Sequence, residues 1–293
     1  MTTPRDFSPD VRTDPLTGVP AVIVARRQER PLLPAHGCPF CPGGLEAPEP
    51  YLTRWFPNRW PPLPDGRAEV LLFAPEHDAS LGSMGLAGVT RVLDLWAERS
   101  VAQGARADVA YVLVFENRGP EVGATIAHPH GQLYAFSAVP PAPLAELVRP
   151  GSCPLCQAPP QDLVLAHSGG WRAWVPEAAG WPYELCVAPL GHTPDLAAAR
   201  ATFPGAAAVL TTALRALAEL WDAPMPYMLW VHQRPTDGGL WPAAHVHVHI
   251  APLLRTPGVQ RFVAAGELGS GVFFNPVEPE DAAAALRAVA RRP

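Results

Sequence analysis

The stretch AHPHGQLYAF at 127–136 sets two imidazoles, His128 and His130, on either side of one proline. In an extended chain residues i and i+2 project to the same face, so the two rings would stand side by side. Pro129 restricts the backbone between them. An imidazole held this way, with one nitrogen tied down and the other turned to a reactant, suits nucleophilic catalysis. Gly131 removes a side chain where a ligand could approach the backbone. Gln132 brings an amide able to donate to a phosphoryl oxygen. The candidate catalytic residues are therefore His130 and Gln132, with His128 beside them.

A second chemistry runs through the cysteines. Four of the five form two CxxC pairs, Cys38 with Cys41 in CPFC and Cys153 with Cys156 in CPLC. His77 stands 39 residues after Cys38, and His192 stands 39 residues after Cys153. Each is followed by an HxH pair, His128 and His130 in the first case, His247 and His249 in the second. Two thiolates and two imidazoles make a tetrahedral set that suits zinc. The expected sets are Cys38, Cys41, His77 and His128, then Cys153, Cys156, His192 and His247. With four protein ligands each, both would be closed structural centres. Cys186, in the apolar run ELCVAPL, is expected in the core.

These ligands need elements to carry them. EVLLFAPEH, ending at His77, reads as a strand, 86–104 as an amphipathic helix and 108–116 as a strand before the first HxH. ELCVAPLGH, ending at His192, the Ala/Leu-rich stretch 205–222 and the strand 227–232 repeat that order before the second HxH. The chain thus reads as a duplicated α+β unit, residues 1–140 and 141–293, joined through the proline-rich stretch 138–152. Ile250, Ala251 and Pro252 follow the second HxH where the first has Gly and Gln. One working active site is expected, in the N-terminal half.

Composition narrows the chemistry further. The sequence contains no lysine, which removes Schiff-base and standard P-loop chemistry. A formal net charge of −5 argues against broad nucleic-acid binding. No apolar run approaches the ~18 residues expected of a membrane span. The N-terminal stretch lacks the apolar centre of a secretory signal, so a cytoplasmic protein with reduced cysteines is expected.

HPHGQ, preceded by VFENRG at 114–119 and CPFC at 38–41, resembles the galactose-1-phosphate uridylyltransferase family of the histidine-triad superfamily. The resemblance runs from about residue 10 to 275. It implies an α+β fold of two fused histidine-triad-like halves, each an antiparallel sheet with a packed helix. It also implies ping-pong transfer of a uridylyl group from UDP-glucose to galactose 1-phosphate through a uridylyl-histidine. His130 would be the nucleophile, the His128 carbonyl would orient its ring, and Gln132 would hold the phosphoryl oxygens. RRQERP at 26–31 matches the family's R-x-x-R-P stretch, implying nucleotide contact by Arg27 and Arg30. Asn58 in FPNRW and Asn117 in FENRG match uridine-site positions. Arg261, Phe262 and Glu267 match a segment that reaches nucleotide and hexose.

Thr125 stands where the family usually has serine, and Ile126-Ala127 where it has Asn-Pro. A glutamine of hexose recognition expected soon after Glu267 is missing, which leaves the acceptor sugar open. Some relatives use one Glu and three His as second metal site, and Glu184, His232, His247 and His249 match that set as an alternative. The family commonly forms homodimers. Two other readings remain: an adenylyl-transferring nucleotide-sugar phosphorylase of the same superfamily, against which Gln132 speaks, and a non-catalytic zinc-organised binding protein.

Overall fold

The computed structural model describes residues 10–24, 37–221 and 223–291. Its centre is a nine-stranded sheet in which every neighbouring pair is antiparallel. A short hairpin, β1 (Asp10–Thr13) with β2 (Pro20–Ile23), stands apart from it. The main sheet begins with β3 (Arg54–Pro57), β4 (Ala68–Leu72), β5 (Tyr111–Arg118) and β6 (His130–Phe136). It continues with β7 (Val164–Ser168), β8 (Trp171–Trp174), β9 (Leu185–Pro189), β10 (Tyr227–His232) and β11 (His247–Pro252). The spatial order is β3-β4-β6-β5-β10-β11-β9-β8-β7. Residues on either side of position 140 therefore share one sheet, joined where β5 pairs with β10 from Tyr227 opposite Arg118 to Val231 opposite Val114.

Alternation along the central strands sorts the two faces. On β6, Gly131, Leu133 and Ala135 are buried, whereas His130, Gln132, Tyr134 and Phe136 are half-buried on the other face. The buried side packs against α1 (Gly85–Gly104) and α4 (Phe203–Glu219), which also pack on each other, and α6 (Pro279–Ala290) lies against α4. Val89, Val92, Leu93 and Trp96 give α1 its core stripe at the spacing of one helical face. α4 is apolar around most of its circumference because it is enclosed by β7–β9, α1 and α6. With α3 (Leu196–Ala199) before it, this stretch is long and apolar enough to cross a membrane by length and composition alone. Its burial in the core accounts for that composition.

β4 and β9 are buried on both faces, since a CxxC loop covers the side away from the helices. Phe40 and Ala47 pack on Val70 and Leu72 of β4. Leu155 packs on Cys186 and Ala188 of β9 beside Trp174, so Cys186 lies in the core. The expected joint at 138–152 contains α2 (Pro141–Leu147).

Candidate active site and metal centres

The first CxxC loop, the turn after β4 and the entry to β6 meet at one point. The ligand atoms of Cys38, Cys41, His77 and His128 all lie within 4.8 Å of one another. Cys41 Sγ is 3.5 Å from His77 Nδ1 and 3.6 Å from His128 Nδ1. A tetrahedral zinc ion with ordinary Zn–S and Zn–N lengths sets such an S···N edge at about 3.6 Å. The donor chemistry and spacing thus fit the ion. His128 is buried, which holds its pKa below the ordinary histidine value and keeps the ring neutral for ligation. Its Nε2 faces the Ala74 carbonyl at 2.8 Å, an acceptor, so that nitrogen carries the proton and Nδ1 is left for a metal. The Tyr51 hydroxyl lies 2.8 Å from the same Nε2 and donates to the Phe40 carbonyl, tying the ligand to the CPFC loop.

The chain then turns into β6. His130 Nδ1 donates to the His128 carbonyl at 2.8 Å. A carbonyl can only accept, so Nδ1 holds the proton and Nε2 carries the lone pair, as a nucleophilic imidazole requires. The Phe40 ring meets the His130 ring edge-on at 5.1 Å between centroids and limits its rotation. A cavity of about 360 Å³ opens beside it, lined by Asn117, Thr125, His128 and His130 among others. Neither Gln132, two residues further along β6, nor Asn58 lines that cavity; Asn58 Nδ2 donates to Gln132 Oε1 at 3.2 Å. Arg27 and Arg30 lie outside the described residues.

Gly131 has a different role from the one its place in the motif suggests. A Cβ there would stand 2.7 Å from Phe73 Cζ and 2.8 Å from the Phe115 carbonyl oxygen, on the helix side of the sheet. Packing, not ligand approach, excludes a side chain.

In the second half the register corrects one expected ligand. Cys153, Cys156 and His192 gather with His245, not His247. Cys153 Sγ is 3.4 Å from His245 Nδ1, and Cys156 Sγ is 3.3 Å from His192 Nδ1. Strand pairing gives the reason. Gln132 sits opposite Val70 of β4 and Phe115 of β5; His249 sits opposite Cys186 of β9 and Trp230 of β10. His249 thus occupies the place of Gln132, His247 that of His130 and His245 that of His128. The hydrogen bond recurs as well, His247 Nδ1 donating to the His245 carbonyl at 2.7 Å. Burial first, and the neighbouring His192 second, bring the His245 pKa down to about 4, so it too is held in the neutral form that ligation requires. Arg172, buried on β8, donates to the Leu155 and Gln157 carbonyls on either side of Cys156; Arg54 on β3 likewise holds the Glu46 carbonyl beyond the first CxxC. Each arginine braces its cysteine loop.

His247 belongs to a third group, with Glu146, His232 and His249. Glu146 Oε2 lies 2.9 Å from His232 Nδ1 and 3.4 Å from His247 Nε2, while Oε1 lies 3.7 Å from His249 Nε2. These spacings also suit one divalent ion held by oxygen and nitrogen. Burial opposes ionisation of Glu146, but the hydrogen bond with His232, with His247 and His249 close by, outweighs it and holds the carboxyl well below its usual range. Glu184, the carboxylate expected with this set, instead accepts from the backbone N–H groups of Gly180 and Trp181. Sequence reasoning missed Glu146, seven residues ahead of Cys153 in the joint helix. His245, the first histidine of HVHVH, stands 53 residues after His192, nearer than His247 or His249 to the 51 residues that separate His77 from His128.

Arg261 and Glu267 do not face the cavity of His130. They form a buried ion pair; Glu267 also accepts from the Ala264 and Phe274 N–H groups, and Arg261 lies 4.2 Å over the Trp181 ring. Phe262 is 74% exposed.

Residues 62–140 match the family model described as galactose-1-phosphate uridyl transferase, N-terminal domain. A galactose-1-phosphate uridylyltransferase of Thermotoga maritima is 30% identical, over 95% of this chain and 98% of its own. One from Streptomyces lividans is 32% identical over 96% of this chain and 87% of its own. An Arabidopsis thaliana ADP-glucose phosphorylase is 28% identical over 96% and 93%. A solved uridylyltransferase superposes with a TM-score of 0.87 at 30% identity, covering 96% of this chain and 98% of its own. The chain belongs to the galactose-1-phosphate uridylyltransferase family.

Proposed function

We propose that this protein moves a uridylyl group from UDP-glucose to galactose 1-phosphate. His130 Nε2 attacks the α-phosphorus, the bond to the glucose 1-phosphate oxygen breaks, and a uridylyl-histidine remains. A phosphate oxygen of galactose 1-phosphate then attacks the same phosphorus, releasing UDP-galactose and restoring the free imidazole. Charge on the phosphoryl oxygens falls to the Gln132 amide. The observation that carries this reading is the His130 Nδ1 bond to the His128 carbonyl at 2.8 Å, which fixes tautomer and aim together. Zinc at Cys38, Cys41, His77 and His128 would supply structural cross-linking of the loop, the turn and the strand entry that hold that carbonyl. Cys153, Cys156, His192 and His245 would hold a second zinc ion, and Glu146, His232, His247 and His249 a further divalent ion.

Intact-mass measurement after incubation with UDP-glucose alone tests the covalent step. A gain of one uridylyl group, mapped to His130 and absent in His130→Ala, is the expected result. A gain only with ADP-glucose would favour the adenylyl reading, which the ADP-glucose phosphorylase relative keeps open. No gain with either would leave the non-catalytic zinc-organised reading. We also propose a cytoplasmic homodimer. The exposed apolar run Phe262, Leu268, Val272, Phe273 and Phe274 supports a second copy covering that segment.

A further inference from the structure

The reaction above needs Gln132 to present its NH₂ group, not its carbonyl, to the phosphoryl oxygens. An amide can sit either way round, and the wrong way would set an oxygen lone pair against a negatively charged group. Something in the protein has to choose.

A chain of hydrogen bonds makes that choice, and it starts at a group with no ambiguity. The Trp60 backbone N–H can only donate, and it donates to Asn58 Oδ1 at 2.9 Å. That fixes the Asn58 amide, so Nδ2 is the atom turned towards Gln132. Nδ2 can only donate, so the Gln132 atom 3.2 Å away must be Oε1. The Tyr134 hydroxyl donates to the same Oε1 at 3.3 Å. With the carbonyl oxygen held by two donors, the NH₂ group faces the other way.

Local structure makes the relay stiff. Gln132 and Tyr134 are i and i+2 on β6 and share its half-buried face. Asn58 follows directly on β3, and its own N–H donates to the Ala68 carbonyl at the start of β4. β4 in turn pairs with β6, with Val70 opposite Gln132. Three neighbouring strands thus fix the three side chains relative to one another.

From this geometry we propose that Asn58, seconded by Tyr134, is a positioning residue that sets the polarity of the Gln132 amide. This inference rests on the reading of Gln132 as the phosphoryl donor. It replaces the expectation that Asn58 acts chiefly by touching the nucleotide.

The test is a double-substitution cycle on the full chain, read as the single-turnover rate of uridylyl-enzyme formation at saturating UDP-glucose. Asn58→Asp leaves an acceptor for the Trp60 N–H but puts a second acceptor against Gln132, which must turn its NH₂ inward. The rate should fall on the order of 100-fold, the scale of losing one oxyanion donor. In a Gln132→Ala background the same substitution should cost at most about tenfold, the part owed to added charge alone. The half-saturating UDP-glucose concentration should move little. Equal losses in both backgrounds, or a loss seen only as weaker UDP-glucose binding, would overturn the relay. Tyr134→Phe provides a second cycle should Asn58→Asp fold poorly; a severalfold loss confined to the Gln132 background is expected, and an equal loss in both refutes it. The unsubstituted protein separates the two levels. If it takes no uridylyl group, the transferase reading fails. In that case the cycle is read with ADP-glucose, and absence of any adduct sinks the relay as well.

Discussion

Glu116 is the buried carboxyl whose ionisation should be visible in stability. It projects from β5 to the side opposite Asn117 and is 1% exposed at the seam between β5 and β10. The Tyr227 hydroxyl donates to its Oε2 at 3.0 Å. Burial raises its pKa from 4.5 to about 7, against the opposing pull of Arg118 and Tyr227. The folded protein therefore keeps this proton at pH values where the unfolded chain has lost it. Such a group contributes stability that is fully present below pH 4.5 and is lost as pH rises through about 7. About 2.5 pH units at about 1.4 kcal/mol each gives about 3 kcal/mol. Glu116→Gln mimics the protonated acid and cannot ionise. Urea unfolding at pH 5 should find the two proteins within about 1 kcal/mol, and at pH 7.5 the variant should be more stable by up to about 3 kcal/mol. Other titrating groups cancel in the difference. A difference that does not change between the two pH values would refute the assignment, showing that Glu116 ionises at its ordinary pKa in the folded state.

Gly131→Ala should destabilise by about 1–3 kcal/mol, because its Cβ meets both the Phe73 ring and the fixed Phe115 carbonyl oxygen; the urea midpoint reads this. The same substitution should slow nucleotidylation by displacing β6, and an unchanged rate would mean that the strand absorbs the methyl without moving His130. His245 and His247 are separable by cobalt titration of the protein. His245→Ala should diminish the thiolate-to-metal absorption of the second cysteine centre, whereas His247→Ala should leave it intact; the reverse pattern would restore the ligand set first expected from the sequence.

Much of the site is legible in the sequence, because it is encoded over short distances. The HxH spacing puts His128 and His130 on one face of any extended chain, and CxxC puts two sulfurs on one turn. The repeat order and the helix of 86–104, found at Gly85–Gly104, follow from apolar periodicity. Asn58 was found as a candidate, but its polar contact runs to Gln132, which no motif reports. Arg261 and Glu267 were singled out by resemblance and turned out to bury their charges on each other.

The sequence by itself determined which donor types are present, their order and the two-residue and three-residue spacings that preset local geometry. Only the tertiary structure decided which of three alternating histidines joins the second cysteine pair. His245 leads into β11 and His247 and His249 lie on it at the same two-residue spacing, so that spacing cannot rank them. The pairing of β11 with β9 and β10 ranks them, placing His245 over the CPLC loop and the other two beneath Glu146. Glu146 itself reaches them because α2 brings it to the sheet 86 residues ahead of His232 in the chain. A long-range approach of that kind is set by the packing of whole elements, and no local pattern carries it.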